Sequence, residues 1–230
     1  MTSLPEDGAP DVSGLTVGFL GGTGEQGRGL ARRFAMAGSA VIIGSRDEER
    51  AATAAQELSE GVAGSRVRGM TNADCAREAD VLIVAVPWDG HAVLLEGLRD
   101  ELRGKIVVDC VNPLGFDKQG AYALDVPEGS AAQQAAGLLP DSRVVAAFHH
   151  VSAVLLLDEG VDSLDTDVLV LGDDREATDA VQALVGLLPG MRGVYAGRLR
   201  NAGQVEGLTA NLISVNRRYK AHAGIRVTDI

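Results

Sequence analysis

"LTVGFLGGTGEQGRGLARRFAMAG", residues 15–38, decides the fold. Its first six residues read as a buried strand over 15–20. A glycine-rich turn, Gly22-Thr23-Gly24-Glu25-Gln26-Gly27, follows directly. Leu30, Phe34 and Ala37 then recur on one face of a helix predicted over 25–37, with Gly38 as its stop. A strand that passes through GxGxxG into a helix is the first unit of a dinucleotide-binding fold. In this reading Gly22 permits the tight turn. Gly24 lets the backbone approach a pyrophosphate, and Gly27 lets the helix pack close on the strand. The helix N-terminus offers free N–H groups and a positive partial charge to the phosphates, and Thr23 adds a hydroxyl donor.

"VIIGSRDEERA", residues 41–51, continues the unit. The strand over 40–44 ends where an NAD site carries an Asp or Glu for the ribose 2′-hydroxyl. Ser45 and Arg46 stand there instead, with Arg50 one helical turn on. An acid repels a 2′-phosphate, so its absence removes that repulsion. Arginine matches phosphate oxygens with a forked set of donors and stacks on an adenine face. These residues select NADP over NAD.

The 230 residues are 46% hydrophobic, enough for a sizeable core, and only 3% aromatic. Ala, Val, Leu and Gly suit tightly packed α/β layers. The net charge of −11 argues against nucleic acid or an anionic membrane surface as a partner. No apolar run approaches the ~18 residues of a membrane span. Cys75 and Cys110 form no CxxC, which leaves out a disulfide framework and fits a reducing cytoplasm. Residues 1–14, polar and rich in Pro and Gly, lack the pattern of a signal peptide and read as a disordered extension.

Short Val/Ile-rich runs alternate with helical patterns along the rest of the chain. Strands are predicted over 65–70, 80–86, 105–110, 143–149, 167–173 and 191–197. Helices are predicted over 47–60, 72–78, 88–102 and 175–188, and the chain turns helical again over 198–223. The fold class is therefore α/β, a Rossmann-like doubly wound, mostly parallel sheet of seven or eight strands with a small C-terminal helical part. Residues 15–197 form the NADP-binding domain, and 198–230 cap the ligand crevice.

Ligands in such sheets sit outside the carboxyl ends of the strands. Val86, Pro87 and the lone Trp88 end one strand there, and Asn112 and Pro113 end the next. His149 and His150 end a third, and alternation along an extended segment would aim one of them into the crevice. No metal-ligand pattern and no GxSxG is present. A Tyr–Lys or Lys–Asn acid/base pair is also missing. Reducing a carbonyl needs a proton donor, whereas moving a hydride between two redox cofactors needs only aligned rings and excluded water.

"VGFLGGTGEQGRGLARRFAMAG", "VIIGSRDEER", "VLIVAVPWDGH" and "AFHHVSA" together resemble the F420-dependent NADP reductases. The resemblance spans essentially 15–224. It implies reversible hydride transfer between the reduced 8-hydroxy-5-deazaflavin coenzyme F420 and NADP, usually by a homodimer. It places Thr23, Gly24, Glu25, Gln26, Ser45, Arg46 and Arg50 on the pyrophosphate and 2′-phosphate. Val86, Asn112 and Ala153 fall at the nicotinamide end, and Trp88, His149, Val151 and Thr209 by the deazaflavin. No side chain is expected to transfer protons.

The chain departs from the family at Asn201-Ala202-Gly203, where relatives carry an N-S-R pattern, and in "DCVNPLGFDKQG" after the fifth strand. The coenzyme's anionic tail needs cations, for which Arg217, Arg218 and Lys220 are the candidates. Two other readings remain open from the residues. One is an NADP-dependent reductase of a small imine or carbonyl, with His149, His150 or Asp109 as its acid. The other is a non-catalytic NADP(H) sensor.

Overall fold

The computed structural model describes residues 10–60, 62 and 64–230. Strand β1 (Thr16–Leu20) leads into helix α1 (Glu25–Met36), and β2 (Ala40–Ser45) into α2 (Glu48–Glu60). Next come β3 (Arg66–Thr71), α3 (Asn72–Glu78) and β4 (Val81–Val84). A single 3-10 turn at Trp88–Gly90 precedes α4 (His91–Gly97), and β5 (Ile106–Asp109) follows. A hairpin of β6 (Leu114–Asp117) and β7 (Gly120–Ala123) then leads to α5 (Ala131–Leu138), β8 (Arg143–Ala146) and α6 (Ala153–Leu157). The chain ends with β9 (Thr166–Gly172), α7 (Arg175–Gly186), β10 (Met191–Gly197), a 3-10 turn at Leu199–Asn201 and α8 (Ala202–Tyr219).

Eight strands form one sheet in the order β10-β9-β8-β5-β4-β1-β2-β3, as the alternation of the sequence requires. All neighbours are parallel except β8 and β9, which meet antiparallel through Val145↔Gly172 and Ala146↔Leu171. The direction of winding reverses between β1 and β4, which opens a crevice at their carboxyl ends.

Alternate residues of the central strands feed two cores. Phe19, Ile43, Ile83 and Val108 face one core, with Leu30 and Phe34 of α1, Leu58 of α2 and Val181 of α7. Leu20, Ile42, Leu82 and Val107 face the other, with Cys75 of α3, Leu95 of α4, Ala135 of α5 and Val205 of α8. Strands covered on both faces must read as continuous apolar runs, and these do.

Several boundaries differ from the sequence reading. The strand expected over 80–86 stops at Val84, and the chain leaves the sheet before Pro87. The helix expected over 88–102 is only α4, because Gly97 ends it and residues 98–104 continue as turns. The strand expected over 143–149 stops at Ala146, since Phe148 takes a left-handed φ of 64° and turns the chain. The β6–β7 hairpin, α5 and α6 had no clear periodic signal. Of the disordered extension expected over 1–14, residues 1–9 lie outside the described residues. The rest of it is placed by Val12, which is buried in the first core.

The C-terminal segment extends beyond its helix. Helix α8 packs on β7 and α5. Beyond it, residues 221–230 run back as an extended strap along β9. Asp167 N–H donates to Ile225 O at 2.7 Å, and the Asp167 carboxylate accepts from Val227 N–H, Arg192 and Arg226. Led by the Arg192 contact, these donors hold the buried Asp167 carboxyl well below the usual carboxylate range.

Candidate functional site

The crevice at the β1/β4 reversal is a cleft of about 830 Å³. Its walls include Gly21, Thr23 and Gly24 from the first turn and Ser45, Arg46 and Arg50 from the second. Val86, Pro87 and Asp89 close it from the end of β4.

Each glycine of the first turn has its own physical reason. The sharp turn belongs to Gly21, at φ +74°, where a Cβ would lie 2.4 Å from Val86 Cγ1. That corrects the role assigned to Gly22, whose Cβ would lie 2.9 Å from Phe19 Cβ and which is therefore a packing glycine. Gly27 packs too: its Cβ would fall 2.8 Å from Gly22 Cα. Gly24 differs, because a Cβ there would meet nothing nearer than 3.7 Å. The protein itself does not need glycine at 24, whereas an approaching pyrophosphate does. Gly24 also caps α1 without any side-chain hydrogen bond, so the first N–H groups of the helix stay available for an anion. Gly24→Ala is expected to leave the melting temperature nearly unchanged and to weaken NADPH binding. Calorimetric titration alongside a thermal melt checks both.

The second turn holds the cations. Ser45 is buried, and its Oγ accepts from Asp47 N–H at 3.2 Å, which leaves the hydroxyl proton free to donate. Asp47 also caps α2 by accepting from Arg50 N–H at 3.2 Å. Arg46 and Arg50 are exposed, and neither is in an ion pair among the described residues. The neighbouring carboxylates that would have made them ordinary surface arginines do not engage them. One residue of this site escaped the sequence reading. Asn72 lines the cleft at the start of α3, and its Oδ1 accepts from Gly21 N–H at 3.2 Å, fixing the turn. An Asn opening a short helix after a weak strand carries no distinctive sequence signal.

A second group assembles beyond the cleft, around the carbonyl of His149. Asn112 Nδ2 donates to it at 2.7 Å and Thr209 Oγ1 at 3.1 Å. Gln26 Nε2 reaches the preceding carbonyl, Phe148 O, at 3.4 Å. The structure thus draws together residues from α1, the β5 end, the β8 turn and α8. Glu25 lies exposed at the start of α1. Val151 is buried beside the turn, and Ala153 opens α6. Trp88 does not line the cleft. It is half-buried with its ring 5.5 Å from that of His91 and leans on the second core.

His149 and His150 do not alternate across a strand, because they lie in the turn that Phe148 starts. Both are buried. His150 Nε2 accepts from Leu169 N–H at 3.4 Å, whereas both ring nitrogens of His149 and Asn112 Oδ1 are buried without a partner. Buried polar atoms of this kind call for a ligand or water to complete them. Burial pushes the pKa of each histidine down to about 4, so both are neutral at pH 7. Asp109 is also withdrawn, held fully buried against His91 at 2.6 Å. The groups available as an acid for a carbonyl or imine substrate are therefore poorly suited to that task.

A Rossmann-type sheet with a glycine turn after its first strand and two arginines just beyond its second is the architecture of an NADP-dependent oxidoreductase. A family model described as "NADP oxidoreductase coenzyme F420-dependent" matches residues 16–113. An F420-dependent NADP reductase of Methanothermobacter thermautotrophicus is 41% identical over 224 residues, covering 94% of this chain and 96% of that protein. One from Methanocaldococcus jannaschii is 36% identical, covering 94% and 99%. A crystal structure of a candidate F420-dependent NADP reductase from Arthrobacter sp. FB24 superposes with a TM-score of 0.79 at 26% identity, covering 94% and 100%. The chain belongs to the F420-dependent NADP oxidoreductase family.

Proposed function

We propose that this protein transfers a hydride reversibly between coenzyme F420 and NADP. The observation that carries the reading is the pair of unengaged arginines, Arg46 and Arg50, in a cleft whose glycine turn leaves room only at Gly24. The two substrates supply the redox chemistry between them, so the chain contributes binding, orientation and exclusion of water.

Ser45, Arg46 and Arg50 hold the 2′-phosphate. Thr23, Gly24 and the α1 N-terminus hold the pyrophosphate, with Glu25 and Gln26 at the first turn of the helix. Val86, Asn112 and Ala153 border the nicotinamide. The unpartnered Asn112 Oδ1 supports this, being an acceptor for an amide N–H. His149, Val151, Trp88 and Thr209 border the deazaflavin. Arg217 and Arg218 line a groove of about 550 Å³ between α8 and the β6–β7 hairpin, which supports their role toward the coenzyme's anionic tail.

The assembly is a homodimer in this reading. Exposed Phe116 and Tyr122 of the hairpin and Tyr219 of α8 support it as apolar surface for a second copy. The free, buried thiols of Cys75 and Cys110 support a reducing cytoplasm, and no described helix is long and apolar enough to cross a membrane. NADPH mixed with oxidised F420 should bleach the deazaflavin absorbance, and NADH should do so far more slowly. Tight NADPH binding with no bleaching in either direction of drive would instead favour a nucleotide sensor.

A further inference from the structure

A buried ionic cluster lies apart from the residues proposed to hold the two cofactors. His91 opens α4 with its side chain fully buried, and its Nε2 lies 2.6 Å from Oδ2 of the equally buried Asp109 at the end of β5. His91 Nδ1 lies 2.9 Å from Gln134 Oε1 on α5. Both ring nitrogens therefore face acceptors, the arrangement of a charged imidazolium. Burial opposes that charge most strongly, but Asp109, Gln134 and Glu206 together outweigh it and raise the His91 pKa.

The cluster continues in both directions. Asp109 Oδ1 accepts from Val111 N–H at 3.0 Å, which pins the turn leading to Asn112. On the other side the His91 ring lies 5.5 Å from that of Trp88, tilted by 32°. Glu206 of α8 closes the back of the cluster, accepting from Ala131 and Ala132 N–H at the start of α5 at 2.9 and 3.1 Å.

A buried ion pair is a poor source of stability, because desolvation offsets most of its attraction and apolar residues of similar volume serve as well. What this pair does is local and geometric. It joins the loop after β4, whose Val86 lines the crevice, to the turn after β5, which carries Asn112. We propose that His91 and Asp109 are positioning residues, which set the loop carrying Val86 and the turn carrying Asn112 at a fixed separation and so hold the nicotinamide ring in register for transfer. The proposal rests on the hydride-transfer reading for its kinetic consequence, but not for its structural one.

Trp88 is the single tryptophan of the chain, so its emission reports on this cluster alone. Three variants are compared with wild type: His91→Leu, the apolar double replacement His91→Leu/Asp109→Leu, and Asp109→Asn, which keeps the shape and hydrogen bonding. Urea melts establish that each is folded, and titration gives the Kd for NADPH. In the double variant, kcat for F420 reduction should fall by about tenfold or more, the scale on which misplaced reacting groups lose rate. Its Kd for NADPH should change far less than kcat, since Ser45, Arg46, Arg50 and the α1 N-terminus are not part of the cluster. Its Trp88 emission should shift, whereas Asp109→Asn alone should retain most of the wild-type rate. A folded double variant with unchanged Trp88 emission and unchanged kcat would overturn the proposal, as would losses of NADPH affinity and kcat in equal measure. If His91→Leu alone fails to fold, the double variant decides. A wild type that turns over no F420 would sink the functional reading instead, and the emission of Trp88 would still decide this one.

Discussion

Replacing Arg46 and Arg50 together with alanine is expected to weaken NADPH binding by about 3 kcal/mol, from about 1.5 kcal/mol for each charge-assisted contact. That is a loss of roughly 100-fold in affinity. NADH, which lacks the 2′-phosphate, should bind almost as before. The sign follows from the surroundings. Neither guanidinium is committed to a carboxylate among the described residues, so neither must be released to meet a phosphate. The protein's net charge is −11, so its overall field does not favour a phosphate without this pair. Arg46→Ala alone should show about 1–3 kcal/mol of the effect. Titration of each variant with both nucleotides checks the prediction, and equal losses for NADPH and NADH would refute the 2′-phosphate assignment.

The second large effect is on stability. Arg33 of α1 is almost fully buried, yet among the described residues no carboxylate pairs with it. Its guanidinium donates instead to the carbonyls of Leu155, Leu156, Asp158 and Val161. These belong to the last turn of α6 and the chain just beyond it, where carbonyls are free and the helix dipole is negative. Burial nevertheless costs the cation, and it lowers the Arg33 pKa. Arg33→Met keeps much of the volume but leaves these carbonyls without a donor. The expected loss is about 3–5 kcal/mol, the range for breaking a buried charged network. Because α6 opens with Ala153, proposed above to border the nicotinamide, NADPH binding should weaken as well. Urea denaturation measures the first effect, and a variant as stable as wild type would contradict this account of the α1–α6 contact.

These two arginines show what the sequence disclosed and what it hid. Arg46 was legible because its position is fixed by local pattern: a strand end, at a set distance after a glycine turn, where an acid is expected. Arg33 carries no such signal, standing beside Arg32 as one of two adjacent cations in the helix. Only tertiary packing brings the short α6, with no periodic signal of its own, across its end. The alternation of buried strands and helices likewise disclosed the eight-stranded sheet, since runs covered on both faces must be apolar. The hairpin of β6 and β7 did not show, because its strands have four residues each and little alternation.

The site divides along the same line. The phosphate half depends on consecutive residues, and the structure gathers Thr23, Gly24, Ser45, Arg46 and Arg50 around one cleft. The other half depends on residues distant in sequence, such as Asn112 and Thr209, which meet at one carbonyl. Its histidines were misread as strand residues because Phe148 adopts a left-handed backbone that no local pattern announces. The turn glycine was displaced by one position for a related reason. Gly21 and Gly22 are indistinguishable in sequence, and only their backbone angles and neighbours separate a turn from a packing contact.

The most direct test of the central claim follows the hydride itself. NADPH deuterated at either face of nicotinamide C4 is mixed with the protein and oxidised F420, and the reduced deazaflavin is analysed by mass spectrometry. The ring position that accepts the hydride in a 5-deazaflavin is a carbon, so transferred deuterium is retained. The account predicts deuterium in the product from one of the two labelled faces and from that face only. Reduced product without deuterium from either label, or no reduced product at all, would contradict direct transfer between the two cofactors.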